Sequence, residues 1–215
     1  NAVNGVINII TKKANQTQGW QAIALGGSEE QSGSLRYGGT LDNGAQYRAY
    51  GKFFNRGDLS DVGLSGLDET SDPNDAQSSD DWRSVRGGFR FDLEPGQGLS
   101  NTSPNNFALQ GEAYSNRYEK EFERRSTIFP GSVSNQSDQT ETSKASGWHL
   151  LGRWQYNIAN DSETILQIYY DQAKKDYDPG SGQVHTTDMD FQYRFPFGKT
   201  QEIIWGLEYK FISDE

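Results

Sequence analysis

Hydrophobic and polar residues alternate with a period of two along most of this chain, the signature of β-strands whose two faces meet different surroundings. Over 82–93, Val85, Gly87, Phe89, Phe91 and Leu93 share one face, and Trp82, Ser84, Arg86, Gly88, Arg90 and Asp92 share the other. Over 148–158, Trp148, Leu150, Gly152, Trp154, Tyr156 and Ile158 oppose His149, Leu151, Arg153, Gln155 and Asn157. Over 186–195, Met189, Phe191, Tyr193 and Phe195 oppose Asp188, Asp190, Gln192 and Arg194. The last segment, 201–213, sets Ile203, Trp205, Leu207, Tyr209 and Phe211 against Glu202, Glu208 and Lys210. Segments 34–41, 45–56, 106–117 and 163–173 repeat the pattern less cleanly, and 18–26 is weakest, because Ile23 and Leu25 share a face with Gln21. The pattern predicts an all-β chain, an antiparallel up-and-down meander of about nine long strands.

Alternation alone fits a soluble sandwich as well as a membrane barrel. Strand length and the parity of the connections separate the two. Several segments run about 10–13 residues, as a tilted bilayer-spanning strand requires, against five or six in ordinary globular sheets. Taken alternately, one set of connections is long and polar, 57–81, 120–146 and 174–183, while the other is mostly tight: Asp42-Asn43-Gly44, Asn157 to Ser162, and Pro196 to Thr200. Outer-membrane barrels have long extracellular loops and short periplasmic turns. The short connection 27–32 and the long one 94–105 are the two exceptions. The apolar faces are then expected to meet lipid and the charged faces a lumen. Arg48, Lys52, Arg86, Arg90, Glu112, Arg153, Asp190, Arg194 and Glu208 are the lumen-facing candidates, with Asp171 beside them. Trp20, Trp82, Tyr114, Trp148, Tyr156, Phe195 and Phe211, near strand ends, suit interfacial aromatic girdles.

The first thirteen residues differ in kind: a short apolar strand with nothing before it to pack against. Gly5-Val6-Ile7-Asn8-Ile9-Ile10-Thr11, preceded by Ala2 and followed by Lys12-Lys13, resembles the last strand of the plug domain in TonB-dependent outer-membrane receptors. The resemblance implies that 1–14 is the C-terminal end of a plug and that 15–215 is the N-terminal portion of a 22-stranded transmembrane β-barrel, incomplete here. It implies energised uptake of a large scarce ligand, such as a ferric siderophore or cobalamin, across the outer membrane of a Gram-negative bacterium. The partners would be lipid and a TonB-type energy-transducing protein that engages an upstream segment. Ligand contacts would come from the outer loops 57–81, 120–146 and 174–183. The loop parity agrees: a plug ending on the periplasmic side sends the first strand outward.

Composition and charge narrow the alternatives. A net charge of −10 argues against nucleic acid as a partner, and the absence of cysteine removes disulfides and thiolate chemistry. No run approaches the roughly 18 apolar residues of a membrane helix, a test to which membrane strands are blind. His149, expected in the lumen, and His185, expected at an outer loop, have no partner at metal-ligand spacing along their strands. The carboxylates of 57–81 lack the EF-hand spacing. No catalytic set stands out and no cofactor is called for, so the expectation is a transporter rather than an enzyme. Two rivals remain, a passive porin-type channel and a soluble secreted all-β binding module. An open sheet in lipid leaves backbone groups unpaired at several kcal/mol each, so the isolated chain is expected to aggregate or stay unfolded in detergent.

Overall fold

The computed structural model describes residues 11–57, 81–94, 105–126, 135–159, 162–177 and 180–215, without the side chains of 120–141, 159 and 177. The plug-like strand, most of the connections 57–81 and 94–105, and the carboxylates of 58–80 lie outside the described residues.

Nine strands form one antiparallel sheet in chain order: β1 (Gly19–Gly26), β2 (Glu30–Thr40), β3 (Gln46–Arg56), β4 (Trp82–Leu93), β5 (Asn105–Ser126), β6 (Asn135–Ala159), β7 (Ser162–Tyr177), β8 (Gly180–Phe197) and β9 (Gln201–Asp214). A 3-10 turn, Ala14–Thr17, precedes β1. Local chemistry closes the tight turns. Between β2 and β3, Gly44 takes φ 81°, its N–H donates to the Leu41 carbonyl at 2.9 Å, and the Asn43 side chain accepts the Ala45 N–H at 3.1 Å. Gly198 serves the β8–β9 turn at φ 74°.

Directly paired residues in a sheet share a face, so the register sorts every side chain. One row reads Trp20, Tyr37, Ala49, Phe89, Gly111, Leu150, Tyr170, Thr187, Phe211 from β1 to β9. The next residue along each strand starts a row on the other face: Arg36, Tyr50, Gly88, Glu112, His149, Asp171, Thr186. Three tyrosines lie over glycines on the adjacent strand. A Cβ would fall 2.6 Å from Tyr47 at Gly39, 2.8 Å from Tyr50 at Gly88 and 2.9 Å from Tyr114 at Gly147. Those glycines let the rings lie flat along the sheet, which pins the register.

Nothing among the described residues covers the apolar face. Among the described residues, Ala14 and Ala45 are the buried apolar side chains, while Trp20 is 71% and Leu207 65% exposed. The aromatic rows therefore do not meet across a dry interior, as they would in a two-sheet sandwich.

Four sequence expectations need correction. The connection 120–146 is largely strand, since β5 and β6 pair continuously up to Ser126↔Asn135. The connection 174–183 is likewise strand, with β7 and β8 paired up to Tyr177↔Gly180. In both hairpins hydrophobic alternation stops while the hydrogen-bond ladder continues, so the polar ends read as loop. His185 consequently lies within β8, on the apolar face, bonded to Tyr170 Oη at 2.8 Å and Gln183 Nε2 at 2.7 Å. Trp82 and Tyr114 fall on the charged face, across from Arg56 and Arg86, and not among outward girdle residues.

The turn before β1 presses onto the sheet at Gly38, where a Cβ would lie 2.2 Å from the Thr17 carbonyl oxygen. Gly38→Ala is expected to lift this segment at a cost of about 2 kcal/mol, read as roughly thirtyfold faster trypsin cleavage after Lys13. Gly51→Ala, where a Cβ meets nothing within 4 Å, should leave that rate unchanged.

Candidate functional site

The charged face gathers its side chains by strand parity, and it receives the residues just upstream of β1. Residues 11–17 cross this face near the Asp42-Asn43-Gly44 end of the sheet, from β5 towards β2. Thr11 meets Gln110 of β5, with Oγ1 donating to Oε1 at 3.2 Å. The Lys12 carbonyl accepts from Arg48 Nη1 of β3 at 2.7 Å. Lys13 Nζ pairs with Glu94 Oε1 at 2.6 Å. The Ala14 N–H donates to Asp92 Oδ2 of β4 at 2.7 Å. Thr17 and Gln18 then close the turn on the Ala14 carbonyl at 3.1 and 2.8 Å, and Thr40 of β2 donates to Gln18 at 3.2 Å.

Asp92 is the centre of this cluster. It is 4% exposed and also accepts from Arg90 Nε through both oxygens, at 3.0 and 2.8 Å. Arg90 Nη1 in turn donates to Thr11 Oγ1 and Gln110 Oε1, both at 3.0 Å. One guanidinium and one carboxylate thus fasten upstream chain to two strands. Charge-assisted bonds of this kind are about twice as strong as neutral ones. A cavity of about 270 Å³ adjoins the cluster, lined in part by Lys13, Arg90, Asp92, Glu94, Arg153 and Gln155.

Two further groups lie on the same face. Tyr50 donates to Glu112, which also faces Arg86 Nη1 at 3.9 Å; Glu112 pairs in register with His149, and His149 with Asp171. Arg194 bridges Glu163 at 3.2 Å and Glu202 at 2.9 Å, and Gln155 donates to the same Glu163.

All nine lumen candidates fall on this one face, but they form three neighbourhoods rather than one site. Arg48 and Arg90 hold the upstream segment, and Arg153 lines the adjoining cavity. Lys52 pairs in register with Arg86, which leads to Glu112. Asp190 pairs with Glu208, and Arg194 stands at the far end of β8. Asp92, Tyr50, Gln110 and Glu94 were missed. Asp92 had a signal, because it follows Arg90 at i+2 on the same face; Tyr50 had none, since its partner Glu112 is 62 residues away. Among the described residues, no three His, Asp or Glu side chains converge as a metal site.

Asp92→Ala removes the acceptor of the Ala14 N–H and strands Arg90, and losing one partner of a largely buried pair costs about 3 kcal/mol. Hydrogen exchange at the Ala14 amide is expected to quicken by roughly a hundredfold. Asp92→Asn, which keeps an acceptor, should lose clearly less.

No protein-family model, characterised protein or solved structure matches this chain, so its function rests on the arrangement of its own residues.

Proposed function

We propose that this chain is wall and plug junction of an outer-membrane receptor of the TonB-dependent kind, taking up a large scarce ligand such as a ferric siderophore or cobalamin. In this reading 15–215 supplies the first strands of a 22-stranded barrel and 1–14 ends the plug. The observation that carries it is the side from which the chain enters the sheet. Residues 11–17 lie on the charged face, fixed by Arg48, Arg90 and Asp92, while the opposite face is a bare apolar band. A stopper inside a barrel must join its wall from the lumen side.

The size and slant of the band support the membrane part. On β4 its residues run from Leu93 to Val85, about 27 Å along the strand at ~3.4 Å per residue. Nine strands at ~4.7 Å spacing make it about 40 Å wide, far beyond the few hundred Å² of apolar patch that soluble monomers expose. The band also crosses the hydrogen-bond rows obliquely. Its centre on β4, Phe89, connects through the register to Phe211 on β9, whereas the centre there is Leu207. That slip of four residues over five strands corresponds to a strand tilt of roughly 30°, close to the 35–45° of membrane barrels. The tilt shortens the band to about 23 Å, against ≈25 Å for a barrel's apolar belt. The unpaired edges of β1 and β9 require partner strands in lipid.

A passive channel shares the wall but needs no inward-held upstream segment. Ligand uptake that stops when the energy-transducing partner is deleted supports the receptor; unchanged uptake selects the channel. The membrane part has its own tests. Because the chain has no cysteine, single-cysteine labels are clean. Labels at Phe89, Leu150 and Leu207 should be reached by lipid-soluble quenchers, and labels at Lys52 and Asp190 by water-soluble ones. Equal access of water-soluble quencher to both faces would end the membrane reading. Leu207→Arg is expected to cost about 2–4 kcal/mol in bilayer-refolding titrations, with Asp190→Asn changing little.

A further inference from the structure

We infer that the charged face of β3–β5, at the end away from the Asp42-Asn43-Gly44 turn, binds an aromatic ring that carries negative charge, held by Lys52, Phe54, Trp82 and Arg86. The inference rests on the receptor reading above, in which this end points outward, and it narrows the class of ligand the wall meets. Rings are unevenly shared on the charged face. Among its described side chains the Phe, Tyr and Trp rings are Tyr50, Phe54, Trp82, Tyr114, Tyr118 and Tyr169, and all but Tyr169 stand on β3, β4 and β5. The attachment of residues 11–17 uses neither Phe54 nor Trp82. The register builds a platform from successive rows: Lys52↔Arg86↔Tyr114, then Phe54↔Ser84↔Asn116, then Arg56↔Trp82↔Tyr118. At its centre Ser84 is 4% exposed, and its hydroxyl donates to Asn116 Oδ1 at 2.7 Å. The Phe54 and Trp82 rings approach each other to 4.8 Å at a tilt of 57°, and Trp82 is still 40% exposed. The Ser84 hydroxyl at the centre of the floor is therefore satisfied, and ring surface flanked by cations is presented to a ligand.

Charge gives the rest. These rows carry Lys52, Arg56 and Arg86 and no carboxylate. The carboxylates around them are mostly engaged elsewhere. Glu30 stands in register with Arg56. Glu112, one row inward, takes the Tyr50 hydroxyl and lies 3.9 Å from Arg86 Nη1. Asp81 and Glu119 lie with Arg83 and Arg117 on the opposite face, Glu119 paired with Arg117. Lys52 is exposed and has no carboxylate partner among the described residues. It stands directly opposite Arg86, and a like-charged pair in that position destabilises a sheet. An anion between the two relieves the repulsion, and charge-assisted bonds of this kind are the strong ones. A ring on that anion then reaches Phe54 and Trp82, the next rows outward, where offset or edge-on packing adds further attraction. A bare inorganic anion leaves the rings unused, and an uncharged ring leaves Lys52 and Arg86 facing each other. The platform therefore matches a ligand in which both features are joined, an aromatic carboxylate, sulfonate or phenolate.

Equilibrium dialysis of the intact receptor in lipid nanodiscs tests this with naphthalenesulfonate, naphthylmethanol and cyclohexanesulfonate, empty nanodiscs giving the background. The charged ring should bind roughly tenfold more tightly than either of the others, as one charged hydrogen bond supplies. Lys52→Gln combined with Arg86→Gln should bring the charged and uncharged rings level. Trp82→Leu should bring naphthalenesulfonate towards cyclohexanesulfonate. Lys210→Gln, in register with Asp188 on the same face, should change neither comparison. If the double variant does not fold, Lys52→Gln alone should weaken naphthalenesulfonate several-fold. Equal binding of the probes by the wild type, or a preference that the variants leave unchanged, overturns the inference and leaves the receptor reading standing. A preference that follows the variants supports the site even where uptake proves independent of the energy-transducing partner, and it is then the receptor reading that falls.

Discussion

Lateral backbone hydrogen bonding holds this sheet together, because no second sheet covers either face among the described residues. Each strand is tied to its chain neighbours over long ladders, and among the described residues no large side chain is fully buried. Burial therefore does not decide where a side chain goes; parity along the strand does. A slip of one residue would exchange the two faces completely. The tyrosines seated on Gly39, Gly88 and Gly147 guard against that slip, since each ring fits over a position without a Cβ. In the proposed membrane reading, the surroundings on one side accept hydrocarbon and those on the other accept charge.

This dependence on parity explains what the sequence made legible. β4 runs over Trp82–Leu93, the span read from its alternation, because both faces there carry unmixed chemistry. The same logic sorted Arg48, Lys52, Arg86, Arg90, Glu112, Arg153, Asp190, Arg194 and Glu208 onto one face. It failed where chemistry ceases to alternate. Above Ala113↔Trp148 both faces of β5 and β6 turn polar, yet the ladder continues to Ser126↔Asn135, because backbone pairing does not require hydrophobic side chains. It also failed for Trp82 and Tyr114, whose amphipathic rings suit a girdle by composition but stand on the charged side by register. The pairings within the candidate site were not legible either. Which cation meets which carboxylate depends on cross-strand register over tens of residues, as between Tyr50 and Glu112.

The ionic contacts on the charged face are unequal. Lys13 and Glu94 are 56% and 26% exposed, so water screens their attraction. Arg90 and Asp92 are 14% and 5% exposed and share three further bonds with Thr11, Ala14 and Gln110. Attachment of the upstream segment is thus concentrated at Asp92, with Lys13 adding little. The edges of the sheet are less pure than its middle: Ile23 and Leu25 on β1, and Ile204 and Ile212 on β9, stand on the charged side and are more than half exposed. These are the two outer strands of the sheet among the described residues.

Attachment geometry constrains how a receptor of this kind would work. Residues 11–18 touch β2, β3, β4 and β5 through separate bonds. Four strands of a closed wall move together, so these bonds are loaded together under any pull along the barrel axis. Losing one leaves the others formed, and the wall cannot follow the segment without breaking its own ladder. If the proposed receptor reading holds, the junction would be the fixed end of the plug. Any rearrangement that opened a path for ligand would then take place upstream of Thr11, with the anchor at Asp92 keeping the displaced plug tethered and able to return.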